Sequence, residues 1–326
     1  MKSRIMLVCL ALLLLAVPAL AQEPVDVAVT GAWVRATAMG GGHGMGGMHE
    51  ATAEPGAELT YGPSAVYLTI ENQGGQGVRL VSAATTAAAA VEIHETQMEN
   101  DVMRMRMLEN GLDIPAGESV SLEPGGYHMM LFDLPHDLLP GQAITLTLTF
   151  ALLDDAGAVA GEPTLVDIGV PVLSEPPATG DVVALGAWAR ATAMKMDGMG
   201  SMDEATPEPG LTYGPSAVYM TLANRGAAAD RLVAVRTDAA SIVEIHEMQM
   251  ENDVMRMRPL ENGLEIPAGE HVMLEPGGYH IMLLDLPRDL LPGEAIALTL
   301  VFESGVEMVI AAPVRELAAM PMNHGG

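Results

Sequence analysis

Thiols are almost absent: the 326 residues include one cysteine, Cys9, and it sits in an apolar run near the start. A single thiol excludes a disulfide framework and a thiolate metal cluster. Cations are scarce as well, with 15 Lys and Arg against 42 Asp and Glu and a formal charge of −27. A surface of that sign excludes a nucleic-acid partner, because phosphate binding needs clustered cations. It favours solubility and draws cations in general. Long runs of 3.6-residue apolar periodicity are missing, which argues against a helical fold. Beyond the first 21 residues no segment is long and apolar enough to cross a bilayer, so no membrane span survives removal of that stretch. Aromatics are few, 2 Trp, 6 Tyr and 3 Phe, whereas methionine reaches 25. Core gap-filling accounts for some of that Met, but not for Met set among Gly and His where no apolar pattern exists.

The N-terminus has the parts of a secretory signal over residues 1–21. Lys2 and Arg4 supply the charge, Ile5 to Leu20 the apolar run, and Ala19-Leu20-Ala21 the small-x-small cleavage site before Gln22. The chain is therefore expected to be exported, periplasmic or extracellular. Retention of the segment as an anchor is the alternative. Cleavage after Ala21 removes Cys9 and leaves a mature protein without thiols.

Past that segment the chain is a duplication. Gln97 to Arg106 reads QMENDVMRMR, and so does Gln249 to Arg258. LTYGPSAVY at Leu59 returns at Leu211, and LEPGGYH at Leu122 returns at Leu274, each 152 residues on. Gly31-Ala32-Trp33 returns at Gly186-Ala187-Trp188 with an offset of 155, so the Met/Gly-rich segment between tolerates a length change, as loops do. A period this long means tandem globular domains. The boundaries read from the sequence are a first domain over 23–174, a linker over 175–180 containing Pro176, Pro177 and Gly180, a second domain over 181–316 and a Met/His-containing tail over 317–326.

Within each half the pattern is all-β. Ala65 to Ile70, Val91 to His94, Val102 to Met107 and Ala143 to Phe150 are short apolar or alternating runs bounded by turn residues. Asn110-Gly111 and Asn262-Gly263 predict tight hairpins. Turns recurring about every ten residues predict a β-sandwich or a Greek-key barrel.

Four residues per half form a candidate metal set: His94, Met105, His128 and Met130, then His246, Met257, His280 and Met282. In both, ten residues separate the first His from Met, and 22 more precede His-x-Met. Imidazole and thioether together suit a soft cation, above all Cu(I). Thioethers lose no proton and form no disulfides, so such a site suits an oxidising compartment. Zn(II) prefers Cys, His and carboxylate; Mg(II) and Ca(II) want oxygen. Spacing of two puts His128 and Met130 on one strand face, and likewise Met103, Met105 and Met107. A neighbouring strand could then set His94 opposite Met105. Core packing of a Met stripe and a surface His are the alternative reading of the same residues.

These residues and their surroundings, AWxRAT, SAVYxT, VEIHE, VMRMR, IPAG and LEPGGYHxM, resemble the periplasmic copper chaperones called PCuAC. That family's signature runs His, ten residues, Met, about 21 residues, His-x-Met. The second gap here is 22, which keeps Met103 and Met255 in play as substitutes for Met105 and Met257. Tandem duplication is a further departure, since single-domain members are common. The resemblance covers nearly all of both halves. It implies two tandem cupredoxin-like Greek-key β-sandwich domains, Cu(I) at a partly exposed site, and delivery of copper toward the CuA domain of cytochrome c oxidase or another copper chaperone.

Three further segments carry soft donors outside any core pattern. One holds His43, Met45, Met48 and His49; another Met196, Met199 and Met202; the tail Met320, Met322 and His324. The expectation is that they recruit or pass copper, with His43 and His49 also able to hold Cu(II). Flexible loops are the plain alternative. No catalytic constellation is present, so the reading is a non-enzymatic copper carrier. A storage or resistance buffer without a dedicated acceptor is its rival. His136 and His271 are read as surface residues, and Trp33 and Trp188 as packing anchors.

Overall fold

The computed structural model describes residues 25–37, 61–99, 102–192, 214–251 and 254–316. Among them are twenty strands and no helix. The first half contains β1 Val27–Arg35, β2 Ser64–Asn72, β3 Val78–Ala84, β4 Ala90–Glu99, β5 Val102–Met107, β6 Leu112–Ile114, β7 Ser119–Leu122, β8 Tyr127–Phe132, β9 Ala143–Leu153 and β10 Val159–Leu173. The second contains β11 Val182–Arg190, β12 Ser216–Asn224, β13 Asp230–Arg236, β14 Ile242–Glu251, β15 Val254–Pro259, β16 Leu264–Ile266, β17 His271–Leu274, β18 His280–Leu284, β19 Ala295–Phe302 and β20 Glu307–Arg315. The signal segment, the Met/His-rich segments and the tail lie outside the described residues.

Alternation drives the layering. In β9 every second residue, Ile144, Leu146, Leu148 and Phe150, turns inward and is buried. In β8 the inward residues are Met129 and Leu131. One sheet of the first half runs β1, β2, β8, β4, β5, with β7 beside β2; the other runs β6, β3, β9, β10. The chain changes sheet between β2 and β3, β3 and β4, β5 and β6, β6 and β7, and β8 and β9. Such connections make a Greek-key sandwich. The second half repeats the arrangement around its own core of Leu222, Leu232, Ile266, Ile281, Leu298 and Leu300. The chain is thus all-β and folds as two tandem sandwiches.

One sequence expectation fails here. Asn110-Gly111 does not close a hairpin: β5 pairs with β4 and β6 with β3, so this turn carries the chain from one sheet to the other. Gly111 takes φ +79°, and its amide bonds the Leu108 carbonyl at 3.1 Å. A left-handed residue ends a sheet-crossing turn as readily as it closes a hairpin, so the dipeptide marks the turn and not the pairing.

A bulge in β1 decides which side Trp33 takes. Val27 and Val29 face the core, then Ala32 and Val34 do, because the register shifts between Thr30 and Trp33. Gly31, at φ +61°, absorbs the extra residue. Trp33 therefore stands on the outer face, where its ring lies 4.7 Å from Tyr67. Gly186 does the same for Trp188.

The halves meet edge to edge. Gly169 of β10 pairs antiparallel with Ala311 of β20, joining the two β9-type sheets into one. Val172 pairs with Val34 and Val314 with Ala189, so Gly169 and Ala311, each three residues earlier, are equivalent positions. The pairing is thus self-complementary, as about a two-fold axis. A Cβ on Gly169 would stand 2.5 Å from the Ala311 carbonyl, so only glycine fits. Arg225 clamps Glu71 across the junction with two bonds of 2.6 and 2.7 Å.

Candidate metal centre

β4 and β8 bring the two histidines of the first half together. The register sets His94 opposite His128, and Glu92 opposite Met130. Directly opposed residues share a face. Ile93 and Met129 point into the core, so His94, His128 and Met130 all point outward from the sandwich. The histidine rings are 5.8 Å apart and edge-on. Both are buried, at 8% and 4% exposure, although they lie outside the main core. Met130 packs against the outer cluster of Trp33, Ala65 and Tyr67, the cluster that the Gly31 bulge creates. The second half reproduces this, with His246 opposite His280, rings 5.7 Å apart, and Met282 buried beside Ala217, Tyr219 and Trp188.

Hydrogen bonds fix the ring protons. The Gly126 carbonyl accepts from His128 Nδ1 at 3.1 Å, which leaves Nε2 with the lone pair in the neutral ring. Burial pushes His128 below the ordinary imidazole value; the Gly126 bond opposes this, and His94 and Arg35 reinforce it. The ring is thus neutral, and free to donate its lone pair, at pH 7 and further into acid than an exposed imidazole. His280 behaves alike with Gly278, its ring pushed down first by burial and then by His246 and Arg190. His94 Nε2 instead donates to Glu92 Oε2 at 2.8 Å, and His246 Nε2 to Glu244 at 2.7 Å. A carboxylate only accepts, so in the neutral ring the lone pair falls on Nδ1. Nδ1 of His94 and of His246 is buried and has no partner. A buried lone pair left without a partner is costly unless a cation takes it.

The thioethers of β5 and β15 come to the same face at the open edge. Met105 sits opposite Thr96, and Met257 opposite Met248. The residue opposite His94 is Met107, not Met105, and the residue opposite His246 is Pro259. Spacing fixes the face but not the register, which slides Met105 one pair outward. In the second half Met257 Sδ lies 3.2 Å from His280 Nε2. Ligands on one tetrahedral metal, with bonds of about 2.0–2.3 Å, stand about 3.5 Å apart, so this contact is close to a ligand pair's spacing. Met255 sits one pair further out, opposite Met250. Among the described residues no group of three or more His, Cys, Asp or Glu is arranged to hold a metal.

Sequence reasoning misses Glu92 and Glu244. Their spacing of two from the histidine in VEIHE, which puts them on its face, is the available signal. Carboxylates behind metal-binding imidazoles fix ring orientation and raise basicity. Replacing Glu92 with Gln keeps an acceptor but removes the charge, and should lower about tenfold the affinity for any soft cation that the first half holds through His94. A competition titration against a Cu(I) chelator measures it; unchanged affinity would leave Glu92 without that role. His136 and His271 are exposed, as expected of surface residues.

Fold and site together define a tandem β-sandwich protein that presents one imidazole–thioether cluster on the outer face of each half. The chain belongs to the family described as "Putative lipoprotein LpqE-like", whose model matches residues 27–160 and 182–314, one segment per half. It is similar to "Putative lipoprotein Lxx21020" of Leifsonia xyli, 34% identical over 113 residues, 35% of this chain and 68% of the relative. It is also similar to uncharacterized protein RP573 of Rickettsia prowazekii, 30% identical over 27% of this chain and about half, 48%, of that protein. Among solved structures, the copper-bound PCuAC domain from PmoF2 matches at 25% identity and a TM-score of 0.31, covering 43% of this chain and 97% of that domain. The Cu(I)-DR1885 solution structure from Deinococcus radiodurans matches at 26% identity and a TM-score of 0.29, covering 41% and 78%.

Proposed function

We propose that this chain is an exported carrier of Cu(I), holding one ion per half and passing it on without catalysis. His94, Met105, His128 and Met130 form the first set of ligands, and His246, Met257, His280 and Met282 the second. The observation that carries this reading is the paired imidazoles: two buried rings face each other, their protons are committed elsewhere, and one lone pair per half is orphaned. Thioethers complete the set, and a soft donor set of this kind selects Cu(I). No thiol, proton or electron is needed to bind or release the ion.

Exposure divides the ligands by task. The histidines and Met282 are buried, whereas Met105 and Met257 are about half exposed, at 54% and 48%. An incoming acceptor meets the exposed thioether first, so ligands exchange one at a time from that side. An acceptor of CuA type, with its own soft donors, fits this order.

Anaerobic Cu(I) titration of the chain lacking residues 1–21, against a competing chelator, tests the reading. Two tight equivalents are expected, followed by transfer to an apo CuA domain faster than free Cu(I) exchange allows. Two equivalents with no faster transfer would favour the storage reading, and no tight equivalent would end both. To the segments holding His43, Met45, Met48, His49, Met196, Met199, Met202, Met320, Met322 and His324 falls recruitment of the ion. Their deletion should slow loading and leave the two tight equivalents in place.

A further inference from the structure

The β4–β5 hairpin reaches past the sheet that carries it. β8 accompanies β4 as far as Glu95, and the Thr96 amide still reaches the Gly126 carbonyl just before β8 at 3.1 Å, so Gln97 to Glu99 are paired with β5 alone. In the second half β18 stops at His246, and Glu247 to Glu251 are paired with β15 alone. All six residues of β5 are exposed. A two-stranded ribbon of this kind has no core of its own.

The overhang nevertheless has two distinct faces. Gln97, Glu99, Arg104 and Arg106 occupy one and bond to each other, Arg106 to Gln97 and Arg104 to Glu99. The face shared with His94 carries Met98 directly opposite Met103 at its outer end, then Met105, then Met107 beside the histidine. In the second half Met250 faces Met255, Met248 faces Met257, and Met257 touches His280. The outermost pairs are open to solvent, Met98 63% and Met103 55%, Met250 64% and Met255 45%. Packing therefore does not explain them. Directly opposed side chains have Cβ atoms about 4.5–5.5 Å apart, close enough for two flexible thioethers to share one ion.

We propose that each overhang holds a second, weaker Cu(I) site, Met98 with Met103 and Met250 with Met255, that feeds the buried histidines along the methionine ladder. This rests on the copper-carrier reading above. The ion remains Cu(I) throughout: each new sulfur bond forms as the one behind it breaks, and the final bonds go to neutral imidazole. No proton or electron changes hands.

Silver(I) serves as the redox-inert probe, titrated into the chain lacking residues 1–21 and labelled at its methionine methyl carbons. The methyls of Met98, Met103, Met250 and Met255 should shift with equivalents added beyond the two tight ones. In the variant M98L/M103L/M250L/M255L silver uptake should fall by the equivalents that shifted those four methyls, and Cu(I) loading of the tight sites should slow about tenfold, with their stoichiometry held at two. Leucine keeps the apolar surface, so a variant that binds as much silver as the parent and loads as fast would overturn the ladder and leave the methionine face as a protein-docking surface. Loss of the tight equivalents in the parent would instead count against the carrier reading, since the outer methyl shifts are read separately.

Discussion

The double variant His94→Ala/His128→Ala should bind one tight Cu(I) equivalent where two are expected of the parent. Two imidazoles are deleted from one cluster, and the two thioethers that remain offer only weak neutral donors. The second half keeps His246, His280 and Met282 on its own face, around its own core, and its affinity should not move. The fold should survive, because both histidines point away from the main core and the lost bonds, about 1 kcal/mol to the Gly126 carbonyl and about 1.5–3 kcal/mol to the half-exposed Glu92 carboxylate at most, stay below a domain's total stability. His246→Ala/His280→Ala should mirror the result, and all four substitutions together should abolish tight binding. Retention of two tight equivalents in either double variant would sink the ligand assignment.

Gly111→Ala should be the most damaging single methyl in the first half. Gly111 sits at φ +79°, where a Cβ costs about 1–2 kcal/mol. That Cβ would also stand 2.3 Å from the Leu80 carbonyl oxygen and 3.1 Å from Val81 Cα, both backbone atoms of β3. Strand β3 must shift to admit it, at a further cost of about 1–3 kcal/mol. A domain holds only about 5–15 kcal/mol in total, so the first half's melting transition should fall by about 5–20 °C. Gly263→Ala, with a Cβ 2.3 Å from the Leu232 carbonyl, should do the same to the second half. Calorimetry of the two variants should thus move different transitions; shifts of a degree or less would show that the turn yields freely.

The sequence makes some of this legible and hides the rest for identifiable reasons. β5 begins and ends where the alternating run VMRMRM does, because its composition and its turn boundaries agree. The gathering of His128 and Met130 on one face comes from spacing, since a period of two assigns faces without knowing neighbours. Pairing partners do not come from it. Asn110-Gly111 has the chemistry of a hairpin turn, yet the hydrogen bonds on either side go to β4 and β3. The register that places Met107 opposite His94 depends on the overhang of β4, which no local pattern encodes. Sequence alone makes Trp33 a packing anchor; that it packs beside Met130, outside the sandwich, is due to one extra residue at Gly31 that reverses the alternation.

The Gly169–Ala311 contact bears on how such a chain covers its own sheet edges. Strands β10 and β20 would each be a raw edge in an isolated half, open to any passing strand. Because equivalent residues meet there, the union is closed: each half covers the other's edge at that point, and this border cannot propagate head to tail. Duplication therefore gives the molecule a second imidazole–thioether cluster and, in the same step, the lid for one of its own sheet borders.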